Sequence, residues 1–215
     1  MKTVITIPDN LNELTVAQYQ KYLLNIEGTE GEFTDQRTIE VLCNIPLKNV
    51  FLMTHKDVKS IAEGLRELLN SEVQFKHRFK IQSQEFGFIP DLENITSGEY
   101  ADLCAYINKP EEMHKLMAIL FRPVTHRVKD KYDIYPYTGT VEFSDVMKFT
   151  PLGIAFGAMV FFWNLTVELA NATQSYLRQE LEKEGMQESL ISGKNGDSIK
   201  TFTPLQKEML QNLMK

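Results

Sequence analysis

The longest apolar stretch of the chain predicts a helix from Thr150 to Glu184. Thr150 and Pro151 suit its start, because a threonine oxygen can cap free N–H groups and a proline at the first helical position loses no hydrogen bond. From Leu152 to Trp163 apolar residues and glycines surround the helix, and after that the apolar positions narrow to one stripe ending at Leu177. The pattern predicts a central helix that starts in the core and continues as an amphipathic helix.

A second interpretation of this stretch is a membrane span. No residue from Phe149 to Val167 is charged, and about 20 apolar residues cross a bilayer. Polar residues interrupt the stretch, however, and its flanks lack the Lys and Arg clusters that orient a span. A buried core helix is therefore favoured. Gly153 and Gly157 would then let another element pack closely against the helix.

Apolar residues at helical spacing predict further helices on both sides of the chain's middle. Three are expected near the N-terminus, at Thr15 to Ile26, Thr34 to Asn44 and Lys56 to Asn70. Later ones are expected from Thr96 to Ile107, with Tyr100, Leu103 and Ile107 inward, from Pro110 to about Phe121, and in a short segment capped by Ser144. The spacing of Thr96 and Glu99 is that of a capping box.

A period of two replaces the helical period between residues 75 and 89, which predicts a β-hairpin. If Ser83 and Gln84 form the turn, Phe79 faces Phe88 and Ile81 faces Phe86, with all four on one buried face. Lys2 to Pro8 also alternates, as an edge strand or an extended arm.

Basic residues occupy the other face of this hairpin, at Lys76, Arg78 and Lys80. Single-stranded nucleic acid is bound where charges and aromatic rings are presented together. Here the phenylalanines lie on the opposite face, so a solvated face is expected and nucleic acid is not. The net charge of −6 gives no general attraction to nucleic acid or anionic lipid either.

These elements predict a mainly α fold, α+β at most, with a small β-hairpin and a long central core helix. The expected domain covers residues 1–184, with the hairpin near 74–90, followed by a flexible linker at 185–202 and a docking helix at 203–215. Glycine and serine are frequent in the linker. In the last helix Leu205, Met209 and Leu213 form an apolar stripe after a cap and a proline. That stripe is a candidate protein-interaction site, docking on its own domain or on another subunit.

A second candidate interaction site is the aromatic loop that contains Tyr132, Tyr135 and Tyr137. Tyrosines beside proline and glycine are typical of contact surfaces. The same rings could equally pack back onto the domain.

Reactive chemistry is not expected. Cys43 and Cys104 lie among apolar neighbours on predicted helices, where a free cysteine behaves as a small buried hydrophobe. The four histidines have no partner at metal-ligand spacing, and no phosphate-binding or nucleophile motif is present. We expect no enzyme, no metal, no cofactor and no small-molecule substrate. Met1 to Asp9 does not resemble a signal peptide, so synthesis in a reducing cytoplasm is expected.

Three segments carry a resemblance to a known group: Gln84 to Leu103 with its Ile-Thr-x-Gly-Glu helix start, Leu116 to Pro123, and Leu14 to Gln20. They resemble small structural or assembly proteins of tailed bacteriophages, including the crAss-like group. The resemblance implies a virion component assembled in the host cytoplasm, such as a tail protein or a head-to-tail connector or ring protein. It implies other phage structural proteins, or copies of itself in a ring, as partners. The alternatives are a tail assembly chaperone absent from the mature virion and a membrane-inserted protein.

Overall fold

A computed structural model describes residues 5–92 and 94–183. This part of the chain folds into eight α-helices and a small antiparallel sheet of four strands. The expected mainly helical, α+β fold is confirmed. In these two ranges no helix is long and apolar enough to cross a membrane.

The α-helices are α1 (Val16–Ile26), α2 (Gly31–Leu42), α3 (Leu47–Val50), α4 (His55–Leu69), α5 (Ser97–Tyr106), α6 (Met113–Leu120), α7 (Val141–Met147) and α8 (Leu152–Lys183). The strands are β1 (Arg78–Ile81), β2 (Gln84–Phe88), β3 (Phe121–Val128) and β4 (Lys131–Ile134), in sheet order β1-β2-β3-β4. Short 3₁₀ helices cover Leu11–Glu13 and Pro110–Glu112.

The chain divides into two compact units, Met1–Ala158 and Met159–Lys215. Helices α1 to α7, the sheet and the first residues of α8 belong to the first unit. The described part of the second unit is the remainder of α8. The predicted linker at 185–202 and docking helix at 203–215 lie outside the described residues, and so do Leu205, Met209 and Leu213.

The predicted N-terminal helices are present, with boundaries set by local capping. Thr15 and Gln18 form a capping box at the start of α1, and the Thr54 hydroxyl accepts a hydrogen bond from the Asp57 amide at the start of α4. Each cap satisfies an N–H group that has no partner within the helix. Helix α2 begins at Gly31, three residues before the expected Thr34, and it contacts both α1 and α4.

The central helix is tied to the N-terminal segment by backbone hydrogen bonds. The Leu152 amide donates to the Leu14 carbonyl at 2.9 Å, and the Val16 amide donates to the Thr150 carbonyl at 3.0 Å. The expected Thr150 cap is wrong, because the Thr150 hydroxyl lies 3.3 Å from Met147 Sδ and the first helical amide bonds to Leu14 instead. Burial of α8 is confirmed through Ala158, whereas Val160 is exposed and Trp163 is half-buried.

Close packing at the two glycines of α8 is confirmed. A Cβ on Gly153 would lie 2.8 Å from Asn12 Oδ1, and one on Gly157 would lie 2.6 Å from the Gln74 carbonyl oxygen. Real Cβ atoms essentially never come this close. Gly157 faces backbone and therefore requires glycine for the observed approach, whereas at Gly153 the Asn12 side chain would have to move.

The predicted hairpin is present, but its register differs by two residues. Phe79 pairs with Phe86 rather than with Phe88, and the turn is Gln82-Ser83. Gln82 takes a left-handed conformation with φ of 53°, so this short turn forms without the glycine or asparagine usually found there. A shift of two residues keeps every side chain on its face. The predicted burial of Phe79, Ile81, Phe86 and Phe88 is therefore confirmed.

Strands β3 and β4 were not predicted. The sequence suggested that α6 ends at Arg122-Pro123 and that an aromatic loop begins at Tyr132. Instead, β3 starts at Phe121 directly after α6 and pairs with β2 through Phe121, Arg122 and Pro123. Beyond Pro123 the outer residues are exposed on both faces, so the strand lacks the apolar alternation that marks a half-buried strand.

Helix α5 is rotated relative to the expectation. Tyr100 is 59% exposed, whereas Glu99 is 3% exposed and Leu103 is buried. Glu99 points inward because its carboxylate pairs with Arg122 inside the domain. This rotation also exposes Cys104, and Cys43 is half-buried, so the expectation of two buried thiols is wrong for Cys104.

Helix α7 begins at Val141, and Ser144 lies within it rather than capping it.

Candidate protein-interaction site

The base of the candidate site is a buried ion pair between α5 and β3. Arg122 Nη2 donates to Glu99 Oε1 at 2.6 Å, and both side chains are more than nine-tenths buried. The other Glu99 oxygen accepts the Thr96 amide at 2.6 Å and completes the predicted capping box. Burial lowers the pKa of Arg122, and the Glu99 carboxylate opposes that shift. The pair fixes the first residues of β3 against the start of α5.

Tyr137 covers this ion pair. The Arg122 guanidinium lies over its ring, 5.6 Å from the centroid, and its hydroxyl donates to the Asp102 carboxylate. Burial first, and then the Asp102 hydrogen bond, raises the pKa of Tyr137 well above its ordinary value. Tyr137 therefore packs back onto the domain, which is the second of the two interpretations of the aromatic loop.

Tyr132 is also committed to the fold. Its ring lies on the backbone of Gly87, where a Cβ would come within 2.4 Å of Cε2. Its hydroxyl donates to the Phe88 carbonyl at 2.8 Å, and the Arg78 guanidinium lies over the ring at 5.6 Å. The tyrosine from β4 thus holds the end of the sheet together.

Tyr135 is the most exposed of the three predicted tyrosines, at 38%. Its ring makes an edge contact with Phe143 of α7 at 5.6 Å. Val141, the first residue of α7, is 87% exposed, and Phe149, two residues after its end, is 64% exposed. Tyr135 and these apolar side chains are available to a partner.

From this base the β3–β4 hairpin extends into solvent. Residues 125–131, seven in succession, are all exposed, and Val128 is 59% exposed. The pairing of β3 with β2 ends at Pro123, and an irregularity between Val124 and His126 shifts the register with β4. Arg127 Nη1 lies 3.5 Å from Glu85 and links the hairpin to β2. The result is a two-stranded projection on a fixed base.

Sequence reasoning missed this hairpin and the Glu99–Arg122 pair. The available signal was in β4, where Tyr132 and Ile134 alternate after a Lys-Asp turn. The ion pair had no comparable signal, since its partners are 23 residues apart in the sequence.

Two of the histidines contact polar side chains. His114 Nδ1 lies 2.9 Å from the Gln20 amide nitrogen, and His55 Nδ1 lies 3.0 Å from Glu32. Within residues 5–92 and 94–183 no group of three metal-ligating side chains is assembled. A cleft of about 320 Å³ between the N-terminal segment and the start of α8 is lined by Asp9, Asn10, Asn12, Glu72 and Lys76 among others.

No protein-family model matches this chain, and neither a curated protein nor a solved structure matches it.

Proposed function

We propose that this chain is a non-enzymatic structural component of a tailed bacteriophage, a tail protein or a head-to-tail connector or ring protein. It acts by protein–protein assembly and uses no cofactor or small-molecule substrate. Its partners are other phage structural proteins, including copies of itself, and it is assembled in the host cytoplasm and retained in the virion.

The observation that carries this proposal is the β3–β4 hairpin. A two-stranded hairpin alone is marginally stable in water, so a projecting one needs an anchored base. Here Tyr132 and the buried Glu99–Arg122 pair supply that anchor, while residues 125–131 are left exposed. A fixed, exposed element with an unpaired strand edge is suited to binding another chain.

The phage assignment rests on the resemblance of short sequence segments, two of which meet at the base of the hairpin. Gln84 to Leu103 contains β2 and most of α5, and Leu116 to Pro123 contains the end of α6 and the start of β3. Glu99 comes from the first segment and Arg122 from the second. The residues that carry the resemblance thus form the base of the projecting hairpin.

Mass spectrometry of purified phage particles tests the proposal. A structural component copurifies with the particles at a fixed ratio to the major tail or connector proteins, through density gradient and size exclusion. Its absence from particles, together with its presence in infected-cell lysates bound to an unassembled tail protein, would favour the assembly chaperone. Absence from both would contradict any role in assembly.

A further inference from the structure

The exposed face of the sheet is basic in an acidic protein. Arg78, Lys80 and Arg127 lie on this face with Tyr132, and Glu85 lies among them, paired with Arg78 at 3.1 Å and Arg127 at 3.5 Å and opposite Lys80 in the β1–β2 register. Lys76, two residues before β1, lies at the border of this face and also lines the cleft with Asp9 and Glu72. Three cations and one anion give this basic sheet face a formal charge of +2, within a chain of −6. Lys76 and Lys80 are exposed, and neither forms a salt bridge with any described residue.

The α1–α2 turn of the same molecule has the opposite character. Glu27, Glu30 and Glu32 are all exposed, and between Tyr22 and Gln36 the sequence has no basic residue. Glu32 is 3.0 Å from His55 Nδ1, whereas Glu27 and Glu30 have no salt-bridge partner among the described residues. This acidic turn therefore presents charge that nothing in its own described surroundings neutralises.

Apolar side chains accompany both surfaces. Leu24, one helical turn before Glu27, is 65% exposed, and Phe33, next to Glu32, is 40% exposed with Arg37 over its ring. Val128, at the tip of the hairpin that borders the basic sheet face, is 59% exposed. An apolar centre with a charged rim is the usual anatomy of a protein interface.

We propose that the basic sheet face of one copy binds the acidic α1–α2 turn of a second copy. The proposal rests on the proposed assembly function and specifies a partner and a contact for it. Because the two surfaces are different, each copy carries one of each, and the contact is heterologous. Such contacts generate a ring when the rotation closes and a filament when it does not.

Nucleic acid is the competing occupant, since Tyr132 brings an aromatic ring to the basic face. The Tyr132 side chain already makes contacts within the domain. Its ring lies on Gly87, its hydroxyl donates a hydrogen bond to the Phe88 carbonyl, and the Arg78 guanidinium lies over the ring. A base that stacked on Tyr132 would have to displace the Arg78 guanidinium. Carboxylates can reach Lys76 and Lys80 without disturbing these contacts, so an acidic protein surface is favoured.

Charge reversal tests the contact on the purified full-length protein. Self-association is measured by sedimentation at about 0.15 M salt, where the Debye length is about 8 Å and local charge pairs outweigh the overall repulsion. Lys76→Glu with Lys80→Glu, or Glu27→Lys with Glu30→Lys, weakens association at least about tenfold. Mixing the two double variants restores association, because each then supplies the surface that the other needs.

Matched controls separate this contact from a general charge effect. Lys48→Glu with Lys109→Glu changes the net charge by the same amount as the reversal at Lys76 and Lys80, at exposed positions elsewhere, and leaves association unchanged. Thermal melting of every variant confirms that the fold is intact.

Three outcomes overturn the inference. The first is that the wild-type protein stays monomeric up to about 1 mM, the limit of weak binding. The second is that the two charge reversals leave association unchanged. The third is that the reversals weaken association and that mixing the two variants does not restore it. Loss of binding to a single-stranded oligonucleotide in the lysine variant, with self-association unchanged, assigns the face to nucleic acid instead. If the protein is found in phage particles but its self-association does not depend on these charges, the proposed function stands and the proposed contact is wrong. If the protein is absent from particles but its self-association does depend on these charges, the contact stands and the proposed function is wrong.

Discussion

At the scale of single residues, Glu99 has two roles that fix the orientation of α5. One carboxylate oxygen caps the helix through the Thr96 amide, and the other pairs with Arg122. Capping could be predicted from sequence, because it depends on residues three positions apart. The ion pair could not, and it decides which face of α5 is buried: Glu99 is inside and Tyr100 is outside.

Replacing Glu99 with glutamine separates these two roles. Glu99→Gln keeps an oxygen for the Thr96 amide but leaves the Arg122 charge buried without a counterion. Arg122 Nε already has no hydrogen-bond partner among the described residues. Removing one partner of a buried pair costs about 3–5 kcal/mol. We expect a loss of that size in the free energy of unfolding measured in urea, with Glu111→Gln at an exposed position as control. A loss no larger than that of the control would show that the pair does not hold α5.

The ring of Tyr19 makes stability sensitive to alkaline pH. Tyr19 is 7% exposed and makes an edge contact with Phe156 at 5.1 Å, and burial raises its pKa from 10.0 to about 12. Above pH 10 the unfolded chain loses this proton while the folded chain keeps it, so stability falls as pH rises through this window.

The Tyr19→Phe variant tests this directly. One such group contributes a slope of about 1.4 kcal/mol per pH unit between its two pKa values. Urea unfolding between pH 8 and pH 11 should show a shallower decline for Tyr19→Phe than for the wild type, with little difference at pH 8. Tyr135→Phe, on a partly exposed ring, serves as the control. Parallel declines in wild type and Tyr19→Phe would contradict the assignment.

At the scale of elements, the sequence was informative where one face of an element is buried. Helices α1 and α4 and the β1–β2 hairpin follow their apolar periods, and Val58, Leu65 and Phe79 are buried as expected. Strand β3 was not predicted, because its outer half has no buried face and therefore no apolar period. The predicted register of the β1–β2 hairpin was wrong for a different reason. A Gln-Ser turn has no sequence signal, and strand pairing on both sides holds Gln82 in its left-handed conformation.

The glycines of two helices provide a matched comparison. Gly157 in α8 approaches the backbone of Gln74, whereas Gly64 in α4 has nothing within 4 Å of its missing Cβ. Alanine is better than glycine by about 1 kcal/mol in a helix interior. We expect Gly64→Ala to raise the unfolding free energy by up to that amount, and Gly157→Ala to lower it by about 1–3 kcal/mol through overpacking. Equal effects of the two substitutions in urea unfolding would contradict the close approach at Gly157.

At the scale of the whole molecule, the candidate interaction surfaces lie on the outer faces of elements, where side chains do not pack into the core. The basic sheet face, the acidic turn and the ends of α7 all present charge or apolar area to solvent in the first unit. The sequence pointed to Tyr132 and Tyr137, but both rings contribute to the base of the hairpin. An aromatic loop in a sequence indicates that the rings are in contact with something. It does not indicate whether that contact is within the same chain or with another chain, because both bury the same rings.

The predicted C-terminal docking helix presents the same question for Leu205, Met209 and Leu213. A helix of about 12 residues is marginal alone in water, so its apolar stripe needs a surface on its own domain or on another subunit. Deleting residues 201–215 tests both. If the segment docks on another subunit, the melting temperature of the isolated monomer is unchanged and assembly is lost, because the stripe that the linker holds near the other subunit has been removed. Triple substitution of the three residues by serine in the full-length chain should reproduce the effect and control for the loss of chain length. A lower melting temperature of the monomer would instead place the stripe on its own domain, and unchanged stability with unchanged assembly would contradict a docking role altogether.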